Sequence, residues 1–214
     1  MLTNPLSTTS QGRRVRFECW WLTSPTIRAS CHVALLLTHP KHMTVMTDNP
    51  VALPALDPME LRRCLGTFVT GVTVITALDA EGQPEGITAN SFSSLSLSPP
   101  LIVWSLRLNA RSFKTYQYAP RFAVNILAQD QMPVSNRFAS SGIDRFEGIK
   151  HTLGLGGVPL IDGCVAYLEC SLEATHPGGD HVLFIGRVER IQTFDKQPLA
   201  YGGGEYKAVV PLRP

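Results

Sequence analysis

The chain has 214 residues, of which 44% are hydrophobic and 17% are charged, and its formal net charge is +2. This length allows one globular domain with a substantial core, and no apolar run approaches the roughly 20 residues of a membrane-spanning helix. Because the basic residues are scattered and nearly balanced by acidic ones, the composition argues against a nucleic-acid-binding surface and favours a small-molecule partner.

The cysteines favour a reducing compartment. The chain has five, an odd number, with neither a CxxC pair nor a regular spacing. This pattern argues against a disulfide framework and against a zinc site, so we expect no metal and a cytoplasmic location. The five are Cys19, Cys31, Cys64, Cys164 and Cys170.

Residues 1–47 differ in composition from the rest of the chain. They contain one acidic residue, Glu18, against five arginines and lysines, and no sustained hydrophobic period. Such a leader is typical of a transit peptide, but it also fits upstream sequence translated from an over-extended start, with Met43 or Met46 as the true initiator. We favour the second interpretation. Residues 1–47 are therefore predicted to be a disordered or non-native extension, and residues 48–214 to form the domain.

The elements after this leader are mostly strands. A helix is predicted first, because Asp57 has the character of an N-cap, Pro58 stands at the first helical position and Glu60 at the third. Two turns are predicted at residues 79–82 and 175–180. Alternation predicts strands over 70–78, 86–89, 92–97, 101–106, 121–127, 164–174 and 181–193, with further helices from Ser112 and over 130–139. Closely spaced antiparallel strands with few helices predict a mainly β fold with flanking helices, closed into a small barrel.

One segment, residues 86–106 with the sequence GITANSFSSLSLSPPLIVWSL, concentrates small hydroxyl and amide side chains between apolar runs. These side chains are able to hydrogen-bond a flat polar ligand, whereas Phe92, Leu95 and Leu97 are expected to face a core. The polar members are Thr88, Asn90, Ser91, Ser93 and Ser94. The segment predicts a site for a ring with one hydrophilic edge, and a serine-rich edge strand is the alternative.

Several motifs with a known mechanism do not occur in the chain. No GxGxxG turn lies between a strand and a helix, so a doubly wound dinucleotide-binding fold is not expected. GxSxG, HExxH and Walker sequences are missing as well. We therefore predict no catalytic acid, base or nucleophile.

Four segments, in this order and at these spacings, resemble the short-chain flavin reductase family: ELRRCLGTFVTGVTVITA, GITANSFSSLSLSPPLIVWSL, RSFKTYQYAPRFAVNIL and GGDHVLFIGRV. The resemblance extends from about Asp57 to about Val210 and implies an FMN-binding split β-barrel with Greek-key-like topology. It also implies a homodimer that transfers hydride from NAD(P)H to FMN or FAD, and that supplies reduced flavin to a partner monooxygenase. The alternatives are a relative that keeps FMN bound as an electron carrier or oxidase, and a non-catalytic flavin- or haem-binding protein.

The resemblance also assigns site residues. The segment from Asn109 to Lys114 joins a strand end to a helix start, where free N–H groups and two cations suit a phosphate, and in the family it holds the ribityl phosphate of the flavin. The alternative is that Ser112 only caps the helix. The implied flavin-binding residues are Thr88, Ala89, Asn90, Ser91, Ser93 and Ser94 for the ring, and Asn109, Arg111, Ser112 and Lys114 for the phosphate.

The nicotinamide is assigned to a third segment. In the family, the histidine of a Gly-Asp-His triplet lies near the flavin face, and His181 occupies this position here. A lone histidine at a strand start is otherwise a surface residue. Tyr206 and Phe138 are expected to sandwich the nicotinamide, with core packing as the alternative for both. The choices between FMN and FAD, and between NADH and NADPH, stay open.

Overall fold

The computed structural model describes residues 55–212, and over this range the chain forms twelve strands and three α-helices. The predicted extension over residues 1–47 lies outside the described residues. The helices are α1 (Pro58–Gly66), α2 (Phe113–Tyr118) and α3 (Met132–Ala139). The strands are β1 (Thr70–Gly71), β2 (Thr73–Leu78), β3 (Pro84–Ala89), β4 (Ser93–Leu97), β5 (Pro100–Arg107), β6 (Arg121–Ile126), β7 (His151–Leu153), β8 (Pro159–Ile161), β9 (Ala166–Gly178), β10 (His181–Thr193), β11 (Leu199–Gly202) and β12 (Glu205–Ala208).

Helix α1 begins as its sequence predicts. The Asp57 side chain accepts a hydrogen bond of 2.9 Å from the Met59 amide, and Pro58 starts the helix. Such a cap satisfies one of the amides that have no partner within the helix. No residue of α1 is buried against the described domain, however, and the Leu65 side chain is 65% exposed. The local sequence thus specifies the helix, while its apolar face lies on the surface.

Seven strands form the main sheet, in the order β3-β2-β6-β9-β10-β5-β4, with antiparallel neighbours throughout. The two edge strands, β3 and β4, are consecutive in sequence, and only residues 90–92 separate them. A connection this short spans at most about 14 Å, so the sheet curls until its two edges approach each other. No described backbone pairing joins β3 to β4. The result is a barrel that stays split along one seam, and the predicted fold class is confirmed.

Two apolar cores lie on the two sides of this curled sheet. One fills the barrel and includes Ile75, Trp104 and Phe184, with the Trp104 and Phe184 rings stacked at 4.7 Å between centroids. The other lies outside the barrel under α3 and includes Val74 and Phe138. The middle of β2 is therefore buried on both faces, and Thr73 and Thr76 are buried with it. A strand with one solvent-exposed face would instead leave every second side chain exposed.

Helix α2 closes the barrel interior. Its Tyr116 is 2% exposed, belongs to the barrel core and donates a hydrogen bond of 2.6 Å to the Ile75 carbonyl. Elsewhere in the same core, Gly186 leaves no space for a side chain, because an added Cβ atom would lie 2.4 Å from the Phe122 ring. Because Tyr116 anchors α2 in the barrel core, the helix also fixes the connection that precedes it, residues 108–112.

Two expectations about the strands and their turns are wrong. Leu95 and Leu97 are 45% and 65% exposed, because β4 is an edge strand whose register against β5 shifts between Ser94 and Ser96. The turn predicted over residues 175–180 is shorter, since β9 continues to Gly178 and only Gly179 and Asp180 connect it to β10.

A separate three-stranded sheet is formed by β1, β11 and β12. It carries the C-terminal hairpin, which turns at Gly203 and Gly204, both with positive φ. The turn sits near the start of the domain, because the Gly203 amide donates a hydrogen bond of 2.7 Å to the Gly66 carbonyl. Within residues 55–212, no helix is long and apolar enough to cross a membrane.

Candidate functional site

A cleft of about 440 Å³ lies between strand β3, helix α3 and the C-terminal hairpin, and we call it the Thr88 cleft. Its lining comes from three parts of the chain that are distant in sequence. The lining residues are Val72, Thr88, Asn90, Ser135, Asn136, Ala139, Tyr201, Gly204 and Tyr206. None of these described lining residues is charged, and most present a hydroxyl or an amide group.

Hydrogen bonds between the three elements hold this cleft. The Thr88 hydroxyl donates to the Ser135 carbonyl at 2.6 Å, which ties β3 to α3. The Tyr206 hydroxyl donates to Asn136 Oδ1 at 2.8 Å, and its oxygen lies 2.9 Å from Ser135 Oγ. Because a phenol has a single proton, Ser135 donates the second of these bonds. Tyr206 therefore fastens the hairpin to α3, and its ring packs edge-on against Tyr201 with 5.3 Å between centroids.

The arrangement suits a flat polar ligand that changes its charge. Neutral hydroxyl and amide groups stabilise a developing negative charge without placing a fixed charge beside the uncharged form. Thr88 and Asn90, both predicted from sequence, lie in the cleft. Ser135, Asn136 and Tyr201 also line it and were not predicted, because only the packing of α3 and the hairpin on β3 brings them there.

The other residues of the predicted ring-binding segment have different surroundings. The Ser91 hydroxyl is occupied, since it donates to the Ser105 carbonyl at 2.9 Å and accepts from the Ser105 amide at 3.0 Å. Ser93 and Ser94 are exposed on β4. Ala89 packs partly against the barrel core. Ser91 thus bridges from the β3–β4 connection to β5, and the three remaining residues do not line the Thr88 cleft.

A second cleft, of about 360 Å³, lies at the other end of β3, and we call it the Glu85 cleft. It is lined by Pro84, Glu85 and Gly86 from the strand, by Arg111, and by residues 142–146. Burial raises the pKa of the Glu85 carboxyl, and the nearby guanidinium groups of Arg145 and Arg111 offset part of this rise. Unlike the Thr88 cleft, this one contains charges of both signs.

The predicted phosphate segment divides between two surfaces. Arg111 is exposed and lines the Glu85 cleft. Ser112 is 3% exposed, and its Oγ finds no hydrogen-bond partner among the described residues. Lys114 lines a different groove, beside Tyr118, and Asn109 is exposed in the preceding turn. Arg111 and Lys114 thus line different surfaces, and the Ser112 hydroxyl is buried between their positions in the chain.

His181 lies at the start of β10, opposite Arg107 of β5. Its Nδ1 atom is 2.7 Å from Asp180 Oδ1, and this hydrogen bond lowers the pKa of the Asp180 carboxyl, helped by the positive charge of Arg107. The Arg107 guanidinium lies 3.7 Å from the same carboxylate. Asp180 thus fixes the imidazole orientation, with the His181 side chain 38% exposed. His181 is not among the residues that line the Thr88 cleft.

Phe138 does not face a ligand, which corrects the expectation that its ring sandwiches the nicotinamide. It is fully buried in the outer core, 5.1 Å from the Phe146 ring. It also packs on Gly86, where an added Cβ atom would lie 2.4 Å from the Phe138 ring. Core packing is therefore its role, whereas Tyr206 does reach the Thr88 cleft.

The residues present fit a flavin nucleotide. The Thr88 cleft offers neutral polar groups for a ring, although the hydroxyl protons of Thr88, Ser135 and Tyr206 already donate within the protein. The buried Ser112 hydroxyl, which follows Arg111 in the chain, lacks a partner such as a phosphate oxygen would supply. A buried hydroxyl without a partner costs free energy, so a bound anion would recover that cost.

Comparison with known proteins agrees with this fit. The family model described as "Flavin reductase like domain" matches residues 65–209. A probable flavin reductase of Rhizobium meliloti is 44% identical over 150 residues, which are 70% of this chain and 48% of that protein. The chain therefore spans about half the length of that relative.

Two further relatives are covered over most of their length. The reductase subunit HsaB of a flavin-dependent monooxygenase from Rhodococcus jostii is 39% identical over 168 residues, 78% of this chain and 86% of that protein. The solved structure of the NADH:FAD oxidoreductase SgcE6 of Streptomyces globisporus, in complex with NAD and FAD fragments, superimposes with a TM-score of 0.69 at 36% identity, covering 74% of this chain and 98% of that one. With the family model matching more than half of its residues, the chain belongs to the flavin reductase like domain family.

Proposed function

We propose that this chain is an NAD(P)H-dependent flavin reductase that transfers hydride to FMN or FAD and supplies reduced flavin to a partner monooxygenase. The observation that carries the proposal is the Thr88 cleft, a hydroxyl- and amide-lined site without charged lining residues, in a chain of the flavin reductase family. The relative named as a monooxygenase reductase subunit, HsaB, supports the role of flavin supplier.

The bound flavin would supply the redox chemistry, because its ring accepts a hydride from a nicotinamide. The chain's own residues then bind and orient. Thr88 and Asn90 would present polar groups to the ring, and Ser112 and Arg111 would donate hydrogen bonds to the phosphate. Asp180, which contacts the His181 ring, would orient the imidazole toward the nicotinamide. No side chain needs to move a proton in this scheme, so no general acid or base is assigned.

Steady-state oxidation of NADH and NADPH tests the proposal, with FMN, FAD and riboflavin as acceptors. We expect oxidation of at least one nucleotide that depends on added flavin. Failure of every flavin to stimulate oxidation of either nucleotide contradicts the proposal. A protein that keeps its flavin as an electron carrier would instead retain it through gel filtration and would not turn over free flavin.

We further propose a homodimer in the cytoplasm. Large apolar side chains lie exposed on α1, on the connection that follows it, on β4 and on the C-terminal segment, including Phe68 in that connection at 77% and Leu97 at 65%. A second copy would cover such a surface. The cysteines of the described domain, Cys64, Cys164 and Cys170, are free thiols, which supports a reducing compartment. Sedimentation equilibrium tests the dimer, and a monomer at micromolar concentration contradicts it.

A further inference from the structure

Strand β3 and helix α3 form two walls of the Thr88 cleft, and one hydrogen bond joins them within it. The Thr88 hydroxyl donates this bond to the Ser135 carbonyl at 2.6 Å. A single bond fixes the distance between a strand and a helix, but it leaves the helix able to pivot about that point. The position of Asn136, which follows Ser135 and also lines the cleft, therefore depends on a second connection between the two walls.

The carbonyl of Gly86 is available for such a connection. Its strand, β3, lies at an edge of the main sheet and pairs only with β2. The Asp79 amide donates to the Gln83 carbonyl at 2.9 Å, and from this pair the alternation of an antiparallel ladder directs the Gly86 carbonyl away from β2. Because Gly86 is buried, its carbonyl requires a donor from elsewhere in the chain.

Ser140 presents a second carbonyl of this kind at the C-terminal end of α3. The last carbonyl groups of a helix have no partner within the helix. The Arg145 side chain serves both groups, since Nη1 donates to the Gly86 carbonyl at 2.8 Å and Nε donates to the Ser140 carbonyl at 2.9 Å. One guanidinium group thus bridges β3 and the end of α3.

This bridge holds α3 at a second point. Thr88 and Gly86 are two residues apart on β3, a distance of about 7 Å. Ser135 and Ser140 are five residues apart along α3, which is also about 7 Å. Between the two connections the Phe138 ring packs on Gly86. Two connections at matched spacing fix the angle between helix and strand, which the Thr88 bond alone does not.

Arg145 is itself held in place. Arg137 of α3 donates from Nε to the Arg145 carbonyl at 2.9 Å and from Nη2 to the Asp144 carbonyl at 2.8 Å. The Arg145 side chain is 14% exposed, and its Nη1 atom lies 3.9 Å from Glu85 Oε2. This carboxylate is too distant for a hydrogen bond, but its charge offsets the cost of shielding a guanidinium group from water.

We propose that Arg145 is a positioning residue for the Thr88 cleft, because it sets the angle of α3 against β3. That angle places Asn136, and it also places Tyr206, whose hydroxyl is bonded to both Ser135 and Asn136. Arg145 lines the Glu85 cleft and not the Thr88 cleft, so it acts without touching a ring bound beside Thr88. The inference rests on the proposed function only in taking a flavin ring as the ligand of the Thr88 cleft.

Titration of the whole protein with riboflavin, followed by flavin fluorescence, tests the inference. Riboflavin has no phosphate, so its affinity reports on the ring site alone. Arg145→Ala removes both bonds of the bridge, and the Kd for riboflavin should rise about tenfold or more. Arg187→Ala is the matched control, since Arg187 also donates two hydrogen bonds, of 2.8 and 2.7 Å, to exposed Glu173. This control should bind riboflavin as the wild type does.

Chemical rescue separates positioning from a general loss of stability. The space left by Arg145→Ala opens into the Glu85 cleft beside a carboxylate, where a free guanidinium ion can enter. Millimolar guanidinium should restore most of the riboflavin affinity of Arg145→Ala. An equal concentration of ammonium should not, because it lacks the planar fork that reaches two carbonyls. Arg145→Lys keeps the charge without the fork, so its affinity should be intermediate.

Several results would overturn the inference. A lower melting temperature in Arg145→Ala with unchanged riboflavin affinity would make Arg145 a stabilising residue only. A loss of affinity that guanidinium does not restore, or that Arg187→Ala shares, would indicate general damage to the fold. If Arg145→Ala does not fold, Arg145→Lys decides the question, and wild-type affinity in that variant would show that the bridge is not required.

Failure of the proposed function has a different signature. Riboflavin binding that weakens in Arg145→Ala, in a wild-type protein that oxidises neither NADH nor NADPH, would refute the reductase activity and retain the role of Arg145. Wild-type protein that does not bind riboflavin would overturn the inference, since the Thr88 cleft would then not hold a flavin ring.

Discussion

Replacing Ser112 by alanine should have opposite effects on stability and on FMN binding. The Ser112 side chain is 3% exposed, and its Oγ has no hydrogen-bond partner among the described residues. In the ligand-free protein the substitution removes a buried polar group that forms no bond, so the free energy of unfolding should rise. In the FMN complex it removes a hydrogen bond to the phosphate, so binding should weaken.

The magnitudes follow from the cost of an unpaired hydroxyl. Leaving one buried costs about 1–3 kcal/mol, and after the loss of its packing contacts we expect Ser112→Ala to be about 1 kcal/mol more stable. A hydrogen bond to a charged group contributes about 1.5–3 kcal/mol, so the Kd for FMN should increase about tenfold or more. Chemical denaturation measures the first quantity and fluorescence titration the second. Riboflavin, which lacks the phosphate, should bind both proteins equally.

Thr76→Val is the matched control, because it removes an equally buried hydroxyl that is fully used. Thr76 Oγ1 donates to the Pro159 carbonyl at 2.6 Å and accepts from Asn125 Nδ2 at 3.0 Å. Its loss should destabilise the protein by about 1–3 kcal/mol. Two results would contradict the assignment of Ser112 to the phosphate. One is that Ser112→Ala also destabilises the protein, and the other is that it weakens the binding of FMN and of riboflavin equally.

Three further predictions concern charged and titratable groups. Arg111→Ala should weaken the binding of FMN by about 1.5–3 kcal/mol and the binding of riboflavin much less. Equal weakening of the two in titrations would show that Arg111 does not contact the phosphate. His181→Ala should raise the KM for NADH or slow hydride transfer while flavin affinity stays nearly intact, and unchanged anaerobic flavin reduction would make His181 merely structural. Glu169 is buried; burial raises its pKa, but hydrogen bonds from Arg190 and the Leu155 amide bring the value below the ordinary 4.5. Its contribution to stability is therefore complete above pH 4.5 and lost as the pH falls through the lowered folded-state pKa. Glu169→Gln should flatten the acid side of the denaturation profile, and an unchanged profile would contradict this assignment.

Much of the fold could be predicted because its signals are local. The N-cap and proline that start α1 lie next to each other in sequence, and strand β10 occupies the predicted residues 181–193. The hairpin of β2 and β3 turns at residues 79–82, where the Asp79 side chain accepts hydrogen bonds from the Glu81 and Gln83 amides. Each of these features depends on residues within a few positions of one another.

The errors arise where tertiary context decides. Pro177 suggested a turn, yet it lies within β9 and pairs with Val182. Proline is tolerated there because β6 pairs with β9 only as far as Ser171, so the far edge of β9 needs no amide donor at this position. Likewise, whether Leu95 faces a core depends on the register shift in β4, which the alternation of β4 itself does not reveal.

The candidate site was only partly predictable for the same reason. Thr88 and Asn90 belong to one polar segment and could be identified from it. Ser135 and Asn136 lie on α3, and nothing in their local sequence indicates that this helix packs on β3. Phe138, one helical turn further on, was misassigned because a buried aromatic residue and a ligand-facing one look alike in sequence. The shielded position of Glu85 could not be identified from sequence, because a glutamate in a strand is ordinarily solvated.

Anaerobic stopped-flow reduction of bound flavin by NADH is the most direct test of hydride transfer by this protein. We expect the oxidised-flavin absorbance to decay at a rate that saturates with NADH concentration, and NADH deuterated at the transferred position to slow this decay. No loss of absorbance with either NADH or NADPH, while flavin remains bound, would contradict the assignment of this chain as a flavin reductase.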